Sequence, residues 1–136
     1  YDLSLITLGS LLFFLLSHTY TALKQVMLPD NVSRNQIVGS VCVYLLLGVS
    51  WAIIYLIQIE LFPHSFNGIE AKPWIDNLFE AIYFSFITLT TVGYGDITPL
   101  TAPSQSLTLV MNIIGQFYLA IVIAVFVGKY INTKSK

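Results

Sequence analysis

The chain has 136 residues, 56% of them hydrophobic and only 10% charged, with a formal net charge of −1 and a mean hydropathy of +0.78. Soluble domains carry about a quarter charged residues, so this composition excludes an ordinary soluble domain and points to a bilayer. The single cysteine, Cys42, cannot form an intrachain disulfide. His18 and His64 stand far apart without Cys or carboxylate partners at ligand spacing, so no resident metal or other cofactor is expected.

Three stretches lack any charge: residues 3–23, 37–59 and 97–128. Each exceeds the roughly 20 residues that a helix needs to cross about 30 Å of hydrocarbon. The first has no basic stretch ahead of it and is longer than a signal-peptide core. It is read as an N-terminal hydrophobic helix within residues 1–28. The chain opens on Tyr1 rather than Met, as expected of a processed product or a fragment. Residues 29–36, with Pro29-Asp30-Asn31 at their centre, form a polar break and the best linker.

Residues 37–61 are expected to form an outer spanning helix, in which Gly48 and Ala52, four apart, admit a close neighbour. Residues 62–73 hold two prolines and an Asn67-Gly68 turn signal, and are expected to be an exposed loop. Residues 74–90 then open with Asp76 as a plausible N-cap and carry Leu78, Phe79, Ile82, Tyr83 and Phe86 at helical spacing. About 15 residues give roughly 22 Å, too short to span. A re-entrant half-helix is expected, tolerated where protein or water surrounds the non-helical backbone that follows. Pro99 and Pro103 predict a turn before an inner spanning helix over residues 104–131, and residues 132–136 a short tail without a following ligand-binding domain. No internal repeat is present.

Charge gives an independent reading of orientation. With the inner helix ending inside the cell, Lys24, Arg34, Lys129, Lys134 and Lys136 are cytoplasmic and only Lys72 lies outside. That satisfies the positive-inside rule and brings the half-helix in from the extracellular side. Glu60, Glu70, Asp76, Glu80 and Asp96 then make the outer face net negative, which concentrates cations there.

The segment after the half-helix reads TTVGYGD, Thr90 to Asp96. Glycine accepts positive φ without steric cost, and Gly93 and Gly95 alternate with Val92 and Tyr94. Alternating handedness lets successive carbonyls face one axis, where they can replace the water around a dehydrated cation. One chain supplies one wall of such a column, so several copies must surround it.

Thr91-Val92-Gly93-Tyr94-Gly95 matches the potassium-channel filter, and residues 37–131 resemble the pore module of a tetrameric potassium channel of prokaryotic type. The resemblance implies an all-α membrane fold: two spanning helices flank a re-entrant pore helix and selectivity filter, with the N-terminal helix as an addition and four copies around a central pore. It implies stacked K+ sites at the carbonyls of Thr91, Val92, Gly93 and Tyr94, with the Thr91 hydroxyl and with Gly95 completing the filter. The pore helix would aim the negative end of its dipole at a central cavity.

Tyr83 and Phe84 occupy positions where many members carry a filter-bracing Trp pair. Ile87 sits where some members place a carboxylate that bonds the residue matching Asp96, so that bond is absent here. Asp96 is either a charge at the mouth or an acceptor for Tyr83 or another pore-helix group. Gly115, twenty residues past Gly95, falls at the family's inner-helix hinge, with close packing on the pore helix as the other reading. Asn112 and Gln116 share one helical face and are cavity-lining candidates. Leu119, Ile123 and Val127 continue that face.

The implied function is passive, potassium-selective conduction in the cell membrane by a homotetramer among lipid, with K+ as the permeant ion, no enzymatic activity and no nucleic-acid partner. Two rivals remain: a pore-loop subunit of a potassium transporter, and a modulatory subunit of a heteromeric channel. Residues 3–23 contain no Arg or Lys, so the N-terminal helix is not expected to sense voltage. It is expected to pack beside the outer helix or lie along the inner membrane surface.

Overall fold

The computed structural model describes residues 2–28, 33–70 and 72–134. The centre of the linker, residues 29–32, lies outside them, as do Ala71 and residues 135–136 with Lys136. Among the described residues four helices form: α1 (Asp2–Met27), α2 (Arg34–Leu61), α3 (Leu78–Leu89) and α4 (Ala102–Lys134). Three of them, α1, α2 and α4, are long and apolar enough to cross a membrane. At 12 residues, α3 extends only about 18 Å.

Two of the helices, α2 and α4, begin where a side chain accepts a backbone amide near the first turn. At the start of α2, the Ser33 amide donates to Gln36 Oε1 at 2.8 Å, half of a capping box. The start of α4 is closed by two residues: the Thr101 amide donates to Ser104 Oγ at 3.0 Å and the Ser104 amide to Thr101 Oγ1 at 3.4 Å. Pro103 therefore lies inside the first turn of α4 rather than in the turn ahead of it, where its missing N–H costs nothing. The short helix also begins later than the spacing suggests. Trp74 to Asn77 form a turn, with the Asp76 amide donating to the Pro73 carbonyl at 2.9 Å. Asn77, not Asp76, is the N-cap residue. Its side-chain amide donates to the carbonyls of Glu70 (2.9 Å) and Lys72 (3.3 Å), which ties the loop to the helix start.

Side-chain contacts fix the directions. Tyr118 donates to the Ser40 carbonyl at 2.6 Å and Tyr55 to the Met111 sulfur at 3.0 Å, so α4 runs antiparallel to α2. Ser4 near the start of α1 donates to Glu60 near the end of α2 at 2.7 Å, and Lys129 of α4 donates to the Met27 carbonyl at 2.9 Å. Lys24, Arg34 and Lys129 thus belong to the same end of the bundle. Of the two expected placements for α1, the structure has it packed along α2: Leu8 is buried among Ala52, Ile53, Leu56 and Ala81.

The larger core lies between α2, α3, α4 and the outer loop, where Trp51, Tyr55, Phe66, Phe84, Leu89 and Met111 meet. The loop departs from the exposed connector expected of it. Ser65, Phe66 and Ile69 are buried, and β1 (Phe66–Asn67) pairs antiparallel with β2 (Thr98–Pro99), Phe66 opposite Pro99. Two apolar side chains, Phe66 and Ile69, bracket the Asn67-Gly68 turn and draw it onto the core.

Candidate ion-conduction site

The end of α3 is seated by close contacts with both neighbouring spanning helices. Ser85 donates to the Gly48 carbonyl at 2.6 Å, and Tyr44 donates to the Leu89 carbonyl at 3.0 Å. An added Cβ on Gly48 would stand 2.6 Å from the Phe86 ring, and one on Gly115 would stand 2.6 Å from Leu89 Cδ1. The neighbour that Gly48 admits is therefore α3. Gly115 lies against the last residue of α3.

Beyond Thr90 the backbone leaves the helix. The Thr91 amide donates to the Thr88 carbonyl and the Gly93 amide to the Ile87 carbonyl, both at 3.0 Å. Left-handed φ recurs at every second residue: Thr91 (62°), Gly93 (51°) and Gly95 (83°), whereas Val92 and Tyr94 are not left-handed. A Cβ on Gly93 or Gly95 would meet nothing within 4 Å, so backbone handedness and not crowding demands glycine there. Thr91 adopts the same region without being glycine, a strained choice for a β-branched residue that its type does not announce. Residues 90–96 are all exposed on the single chain.

Tyr83 and Phe84 do different jobs behind this segment. Phe84 is buried, with ring centroids 5.1 Å from Tyr55 and 5.4 Å from Phe66. Tyr83 donates its hydroxyl to Asp96 Oδ2 at 2.7 Å, while Asp96 Oδ1 accepts the Ile97 amide at 3.0 Å. The Tyr83 hydroxyl holds the Asp96 carboxyl below the usual carboxylate range, against opposing desolvation and with lesser help from the Ile97 amide. Farther out, Glu70 and Lys72 form an exposed ion pair at 2.9 Å. Ile87 is buried in the core and offers Asp96 no polar partner.

On α4, Asn112, Ile113, Gln116, Phe117 and Ala120 line an open concavity of about 460 Å³. Leu119, Ile123 and Val127 are exposed on the same helix. Sequence reasoning missed the hydroxyl seats of Tyr44 and Ser85 and the Ser65–Ser104 tie, in which Ser104 Oγ donates to the Ser65 carbonyl at 2.9 Å. A Thr-x-x-Ser pattern is a local capping signal, but nothing local marks Ser65 as a partner of Ser104.

Three membrane-length helices, a short helix and a glycine-rich turn at its end define a pore-loop membrane channel module. The family model described as ion channel matches residues 40–132. The chain belongs to the ion channel family, a family of channel proteins and not of enzymes.

Two-pore potassium channel 5 of Arabidopsis thaliana is 35% identical over 99 residues, 71% of this chain and 22% of that protein. Two-pore potassium channel 4 of the same plant is 32% identical over 95 residues, 67% of this chain and 32% of that protein. A hyperpolarization-activated voltage-gated potassium channel of Methanocaldococcus jannaschii is 66% identical over 30 residues, 22% of this chain and 14% of that protein. The chain thus spans a third or less of the length of these relatives. No solved structure matches.

Proposed function

We propose that this chain is the pore-forming unit of a homotetrameric, potassium-selective channel that passes K+ passively down its gradient. The observation that carries the reading is the alternating left-handed backbone at Thr91, Gly93 and Gly95, set at the end of a half-helix and uncovered by the chain's own residues. Four such walls facing one axis replace a dehydrated ion's water with the carbonyls of Thr91, Val92, Gly93 and Tyr94. Gly95 closes the outer end, and Tyr83, Phe84 and Asp96 brace it. The potassium channels among the relatives support K+ as the ion.

The exposed face of α4 turns toward the other copies and the conduction path in this reading. Asn112 and Gln116 line the cavity, with Leu119, Ile123 and Val127 below. Gly115 lets α4 bend against the α3 terminus. The filter entrance faces outward, since Lys24, Arg34 and Lys129 gather at the opposite end. Residues 37–131 act as the pore domain, and α1 is an added helix without sensor charges, so gating is not intrinsically by voltage.

The test is K+ flux through liposomes that contain only this polypeptide, with Na+ flux as the comparison. Potassium and rubidium passing far better than sodium is the expected result; equal permeability overturns the selectivity. Flux that appears only with a second subunit type would make this a modulatory subunit instead, and uptake against a gradient would make it part of a transporter.

A further inference from the structure

The outer loop reaches farther into the molecule than a connector needs to. Its Ser65 carbonyl accepts the Leu100 amide and the Ser104 hydroxyl, both at 2.9 Å, and Ser65 and Ser104 are each fully buried. The β1–β2 pairing continues the tie one turn farther, with Asn67 opposite Thr98. At its tip Gly68 (φ 85°) lies so close to the Asp96 backbone that an added Cβ would overlap the Asp96 carbonyl oxygen. That obstacle is backbone and not the end of a mobile side chain, and the left-handed φ independently disfavours any other residue.

Asp96 is thereby held from two sides. Tyr83 of α3 holds its carboxylate from behind, and Gly68 bears on its carbonyl from the outer loop. The residue so clamped directly follows Gly95, whose left-handed backbone ends the alternating segment. We infer that residues 65–69 form a strap across the outer end of the filter, and that Gly68 is a positioning residue setting where Gly95 and Asp96 stand. This rests on the reading of residues 91–95 as the conduction filter.

The strap makes the filter's outer end depend on a loop that faces the extracellular medium, while its inner end depends on Thr91 and α3. Substitution at Gly68 therefore loosens the outer end selectively. Asn67, next to it, is exposed and pairs with Thr98 through its main chain.

The experiment compares the full parent chain with Gly68→Ala and with Asn67→Ala as control. Two readouts are used: amide hydrogen exchange at residues 95–97, and the decay of K+ flux from liposomes when external K+ is withdrawn. Gly68→Ala is expected to raise exchange at 95–97 at least about fivefold and to hasten the decay, with added external K+ restoring flux. Asn67→Ala should leave both unchanged.

An equal rise in exchange throughout α3 would mark Gly68 as a general packing residue and overturn the proposal, as would unchanged behaviour. If Gly68→Ala fails to assemble, Ser104→Ala is read the same way. It removes the hydroxyl that anchors Ser65, and unchanged exchange at 95–97 in that variant overturns the strap. A parent chain that passes no K+ would defeat the filter reading alone, because the exchange measurement still decides the strap.

Discussion

The Tyr83–Asp96 hydrogen bond, 2.7 Å long, links the short helix α3 to the residue that follows Gly95. Because it holds the Asp96 carboxyl below its ordinary range, its contribution is present above the usual carboxylate pKa and is lost as pH falls through the depressed value. Tyr83→Phe removes the donor. In that variant the carboxyl should take up its proton at a higher pH than in the parent, and conduction should decay faster as external pH falls into the ordinary carboxylate range. Flux decay measured from pH 7 downward (about the range above the carboxylate pKa) checks this, and identical profiles for the two proteins would remove the bond from the mechanism. Gly93 is a separate case. Its φ of 51° with no atom near the missing Cβ means that Gly93→Ala strains the backbone without a clash, by about 1–3 kcal/mol. The protein should still fold and assemble while selectivity or conductance is lost, as read by Na+ and K+ flux on the same preparation.

The elements are held together by glycines and hydroxyls that cross between helices. Tyr44 on α2 donates to the carbonyl of Leu89, the last residue of α3. Tyr44→Phe leaves that carbonyl without this partner and should cost about 1 kcal/mol of stability, seen as a lower melting temperature of the assembled protein in detergent. Gly115 lies in the opposite wall, on α4. In Gly115→Ala the new methyl meets Leu89 Cδ1, the far end of a flexible side chain that can turn away. We expect a change in open probability with selectivity retained, measured in single-channel records. A drop in stability with unchanged gating would reduce Gly115 to a packing residue. The two small residues on α2 both admit α3: Gly48 receives the Phe86 ring, and Ala52 is buried beside Ala81 of α3 and Leu8 of α1.

At the scale of the whole molecule, α4 leaves apolar side chains such as Phe117, Ile121 and Ile123 exposed along its length, and the glycine-rich segment stands uncovered beside it. A fourfold assembly covers both, so native mass measurement should find four copies. Monomers or dimers that conduct would sink this arrangement. The placement of α1 bears on gating. It packs through Leu8 against α2 and α3 and has no basic residue before Lys24. A charge crossing the full field supplies about 2.3 kcal/mol per 100 mV, and the one basic residue of this helix, Lys24, sits in its last turn, at the end of the span. Open probability should therefore vary only weakly with voltage; a steep sigmoid carrying several effective charges would show that α1 has been misread.

The sequence by itself determined the membrane class, the three spanning helices, the short fourth one and the glycine alternation. These follow from local quantities: unbroken apolar length, helical spacing, and the one residue type that accepts left-handed φ freely. It also made the Tyr83–Asp96 contact one of two readings for Asp96. The tertiary structure decided what no local pattern encodes. Thr91 takes a left-handed backbone between its own amide bond to Thr88 and the Gly93 amide bond to Ile87. The N-cap position of the short helix falls at Asn77 rather than Asp76, where the Asn77 amide ties the helix start to the carbonyls of Glu70 and Lys72. The outer loop is buried at Ser65, Phe66 and Ile69 because partners from Thr98 to Ser104 return to it after the filter, more than thirty residues later in the chain. Such contacts depend on where the helices bring the backbone back. Composition and spacing carry no record of that.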